Sequence, residues 1–63
     1  MTLNHTILVA IKHQLIAART ATQHASAQAQ RAGDTLFAER LRKLADQLGY
    51  ELNYVEARLA PLP

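Results

Sequence analysis

His5, His13 and His24 are the side chains here whose type suits a metal ion. A helix brings two imidazoles to one ion only at spacings of three or four residues. Their spacings are eight and eleven, so within one chain each stands alone, and no metal or other cofactor is expected. A site shared between copies would not show in this spacing. No Ser/His/Asp grouping has supporting context, and there is no glycine-rich phosphate loop. The carboxylates are spread along the second half, so no catalytic residue is expected and the chain is read as a non-enzyme.

Two further sets of residues suggest binding. His5, Lys12, Arg19 and Ser26 recur every seven residues. With Arg31, the cations Lys12 and Arg19 would form a basic stripe able to follow a phosphate backbone. The competing expectation is structural: such a line pairs with acids on a neighbouring helix, and Glu39, Asp46, Glu51 and Glu56 are available. Tyr50 and Tyr54 are one helical turn apart and combine an apolar body with a polar tip, a type enriched at interfaces.

Any such residues must be held by a very small scaffold. The chain has 63 residues and no cysteine, so neither disulfides nor thiolate zinc sites can support it. For so short a chain, apolar burial and ordering entropy nearly cancel, and association is the remaining cheap source of stability. No stretch reaches the roughly 18 apolar residues of a membrane span, so no membrane contact is expected. The start lacks the pattern of a secretory signal, and a cytoplasmic location follows by default. Residues 1–33 contain no acid, whereas residues 34–63 contain all five. Halves of unequal sign are expected to lie side by side.

The pattern predicts an all-α antiparallel hairpin in one domain: helix 4–31, turn 32–34, helix 35–59 and a proline-rich tail 60–63. In the first arm Leu8, Ile11, Leu15, Ala18, Thr22, Ala25, Ala29 and Ala32 alternate at three and four. Thr2 or Asn4 is the expected cap. The large-to-small gradient along this stripe predicts a hairpin tight at its loop and wide at its open end. In the second arm the stripe is Phe37, Leu41, Ala45, Leu48, Leu52, Val55 and Leu59, capped by Asp34 or Thr35 after Gly33. Gly49 within this arm suggests a close approach of its neighbour. Pro61 and Pro63 stop the helix.

Both arms carry apolar residues off these stripes. Val9 and Ile16 lie nearly opposite the first, and Leu36, Leu44, Tyr50 and Tyr54 lie roughly 130° from the second. A two-helix hairpin cannot cover them internally. The contact surface is therefore expected at Val9, Ile16, Leu44, Tyr50 and Tyr54. Completion of a four-helix bundle, by dimerisation or with a helical partner protein, would bury it.

In length and layout the chain resembles the Rop-type RNA-binding proteins of plasmids, where two hairpins form an antiparallel four-helix bundle. The resemblance is carried by Leu41 and the Ala45-Asp46-Gln47-Leu48 run. It implies RNA binding, for which Lys12, Arg19 and Arg31 are the candidate contacts. That family's RNA face uses an exposed phenylalanine with lysines and asparagine; here Ala10, Gln14 and Ala18 occupy the comparable surface. The pattern Phe37, Ala45, Leu48, Leu52, Val55 is similar to that of the small hairpin co-chaperones of type III secretion needles. This second resemblance implies a protein-binding, chaperone-like role. A protein-binding adaptor is the leading expectation and an RNA-binding regulator the alternative.

Overall fold

The computed structural model describes residues 4–60. Two helices account for nearly all of them: α1, His5–Arg31, and α2, Thr35–Leu59. They pack along one another as an all-α helical hairpin, a rod of 47 × 19 × 18 Å.

Each boundary has a local cause. The Ile7 amide donates to Asn4 Oδ1 at 2.9 Å, which makes Asn4 the cap and starts the helix one residue later than expected. Thr2, the other candidate cap, lies outside the described residues, as does the tail beyond Ala60. At the turn, Gly33 adopts φ +86°. Its amide donates to Gln30 O at 3.1 Å, and the Asp34 amide donates to Ala29 O at 3.0 Å. This pair of bonds is the Schellman closure, and it needs a left-handed residue at Gly33. The Phe37 amide then donates to Asp34 Oδ1 at 3.0 Å, so Asp34 and not Thr35 caps α2.

The core is a single file of small and medium side chains. Leu8 and Ala29 of α1 are buried, with Leu15 and Thr22 half-buried between them. Ala38, Ala45, Leu52 and Val55 of α2 are buried, with Leu41, Leu48 and Leu59 half-buried. Phe37 departs from the expected stripe: it is 52% exposed, and Ala38, at 4%, takes its place. The reason is angular. From residue 37 to residue 45 a helix turns about 80° past full turns, whereas from 38 to 45 it misses by only about 20°. Ala38 keeps the three–four alternation and Phe37 does not.

The first stripe is corrected in the same way. Ala18 and Ala32 are exposed, while Lys12, Arg19 and Ser26 are half-buried. The line every seven residues that reads as a flanking charge row thus forms one edge of the seam between the helices. Its long cations were expected to pair across the hairpin. Among the described residues the sole ion pair lies within α2, Arg42 to Glu39 at 2.6 Å. Exposed pairs of this kind contribute about 0.3–0.5 kcal/mol.

Candidate functional site: two unlike flanks of the hairpin

Because the seam is one residue deep, the hairpin has two long flanks, one on each side of it. One is polar. The Ser26 hydroxyl donates to Ala38 O of the other helix at 2.8 Å. Further along, the Arg19 guanidinium lies over Gly49, where an added Cβ would sit 3.4 Å from Arg19 Cζ. The close approach expected at Gly49 is therefore made by a side chain and not by the opposing backbone. Arg19 Nε is buried and makes no hydrogen bond among the described residues. Asp46, Tyr50 and Asn53 line the depression around it. Toward the loop this flank continues with Gln23, Ser26, Gln30 and Arg42.

The other flank is apolar. Near the open end a groove of about 510 Å³ runs between the helices. Leu8, Ile11, Leu15 and Val55 form its walls, and Glu51, Tyr54 and Arg58 its α2 rim. Arg58 Nη1 donates to the Tyr54 hydroxyl at 3.0 Å, and the Arg58 guanidinium lies 5.6 Å from the Tyr54 ring centre. Phe37, Leu44, Glu51 and Arg58 recur every seven residues, so all four lie along this flank. Arg40, Gln47 and Tyr54 make a second such line beside them. Leu44 and Leu48 line a shallow depression with Gln47, Tyr50 and Glu51. On α1 the matching line runs Ile11, Ala18, Ala25. Phe37, Leu44 and Tyr54 are all exposed.

The five residues expected to form one contact surface are not brought together. Leu44 and Tyr54 lie on the apolar flank, and Tyr50, 72% exposed, sits on the outside of α2 between the two flanks. Val9 and Ile16 precede Gln23 and Gln30 on one heptad line, which places them with the polar flank. Phe37 was assigned to the core, and it is exposed. A strict count of three–four spacings from Ala45 backward would have found it.

The basic residues do not share a surface either. Lys12 and Arg19 are half-buried at the seam edge, and Arg31 projects about 120° further round the helix, beside His24 and Gln28. Among the described residues no group of three or more His, Asp or Glu side chains could hold a metal ion. No described helix is long and apolar enough to cross a membrane. No protein-family model, curated protein or solved structure matches the chain.

Proposed function

We propose that this chain is a non-enzymatic protein-binding hairpin, an adaptor or chaperone-like module that works by covering its apolar flank with helices of another chain. The observation that supports this most is the asymmetry of the flanks. One is bridged by the Ser26 bond to Ala38 O and covered by Arg19, whereas the other leaves Phe37, Leu44 and Tyr54 in water around an apolar groove. The accessible surface points the same way. It is 5053 Å², against roughly 4000 Å² for a compact monomer of 7.0 kDa. Helices laid on that flank would complete a four-helix bundle and supply the burial that a single-file core lacks. The RNA-binding alternative has weaker support, since Arg19 is occupied by Gly49 and Arg31 points elsewhere.

The test is the hydrodynamic size of the tagged chain, isolated and in an extract of its source cells. Gln23→Glu, on the polar flank, is expected to behave as the wild type, within a larger species in at least one setting. Leu44→Glu is expected to run as a free, helical hairpin in both. A wild-type chain that runs as a folded monomer in both settings overturns the reading. Specific RNA retention would reverse the ranking if it fell steeply between about 50 and 200 mM salt and vanished in Lys12→Ala/Arg19→Ala.

A further inference from the structure

We infer that the occupant of the apolar flank is a second copy of this chain, laid antiparallel so that each Phe37 enters the other's groove. The inference rests on the reading of that flank as a binding surface and adds its occupant and register. Phe37 and the groove sit on the same side of α2 but about 26 Å apart along it, at 1.5 Å per residue. Within one hairpin they never meet. A two-fold axis across the middle of the rod exchanges its ends and brings each Phe37 to the partner's Tyr54 level, twice over. This is the self-complementary geometry of an isologous dimer.

The register follows and can be checked against residues that were not used to set it. Placing position 37 opposite position 54 puts the axis between residues 45 and 46, close to the middle of α2, so the two rods overlap almost completely. In that same register Arg40 falls opposite Glu51 of the second copy, and the reverse. Both lie on the apolar flank, and neither has an ion-pair partner among the described residues. Arg19 over Gly49 and Ile11 beside Val55 set the level of α1 against α2, so on α1 the axis falls near residues 21 and 22, and the bulky Ile11 lies opposite the small Ala32 and Ala18 opposite Ala25. The taper of the stripe, large at the open end and small at the loop, is what an antiparallel copy would match.

The experiment is sedimentation equilibrium of the isolated full-length chain at 50 mM salt, with helicity checked by circular dichroism. The wild type is expected to be a dimer at micromolar concentration. Phe37→Ala should raise the dimer Kd more than tenfold. Arg40→Glu and Glu51→Arg should each raise it about tenfold, because each sets like charges opposite one another at two symmetry-related places in the interface. The double variant Arg40→Glu/Glu51→Arg should return to within about threefold of the wild type. Failure of that rescue, with helicity intact, overturns the register. A wild-type chain that is monomeric alone yet part of a larger species in its cell extract overturns the second copy as occupant while leaving the binding flank in place. Monomeric behaviour in both settings overturns both.

Discussion

Arg19 and Gly49 show how one residue decides the character of a flank. The guanidinium lies 3.4 Å from where a side chain at position 49 would begin, and Arg19 is half-buried at the seam edge while its charge reaches the depression near Asp46. A glycine within a helix costs about 1 kcal/mol relative to alanine. A methyl at Gly49 would meet Arg19 Cζ at 3.4 Å, ordinary contact with the far end of a flexible side chain. Gly49→Ala is therefore expected to stabilise the hairpin by up to about 1 kcal/mol in urea unfolding. A loss of stability would mean that the guanidinium is held too firmly to yield.

The elements are fixed by their ends more than by their interiors. Nothing in the composition of α1 beyond residue 16 favours a strongly amphipathic helix, since the stripe there is almost all Ala and Thr. What stops it at Arg31 is the closure at Gly33, with two backbone bonds and the Asp34 cap following at once. At Gly33 there is open space for a side chain, so the obstacle to substitution is its φ of +86° alone. Gly33→Ala is expected to cost about 1–2 kcal/mol, the left-handed penalty of a residue with a Cβ, with little change in the native circular dichroism spectrum.

For the whole molecule, the decisive property is that a two-helix rod has two flanks and only one is closed by polar contacts. Single substitutions on either side should separate them. Tyr54→Ala, at the rim of the groove, is expected to weaken association by about 2 kcal/mol, the size typical of a buried aromatic at an interface. Ile16→Ala, on the polar flank, should leave association unchanged. Both variants should remain helical, since neither side chain is part of the buried seam. Equal losses from the two would show that the partner wraps around the rod, and the single-flank account of binding would fail.

The amino-acid sequence alone determined the hairpin and its turn, and narrowed each cap to two residues. These depend on local chemistry: three–four apolar spacing, a glycine free to take positive φ, and short side-chain oxygens one residue ahead of each helix. It also determined that α1 would bring small side chains to the loop end, because its stripe there consists of Ala25 and Ala29. What it did not decide was which edge of each stripe faces the partner helix. Leu8, Ile11 and Leu15 satisfy a heptad whichever shoulder turns inward, and a rotation of some 40–50° exchanges Ala18 for Arg19 at the seam. That rotation lies between the helices, where Arg19 packs over Gly49 and Ser26 bonds to Ala38 O. The same choice separated Ile16 from Leu44. Which residues are left to bind a partner is thus a property of how the two helices meet, and periodicity within either one does not contain it.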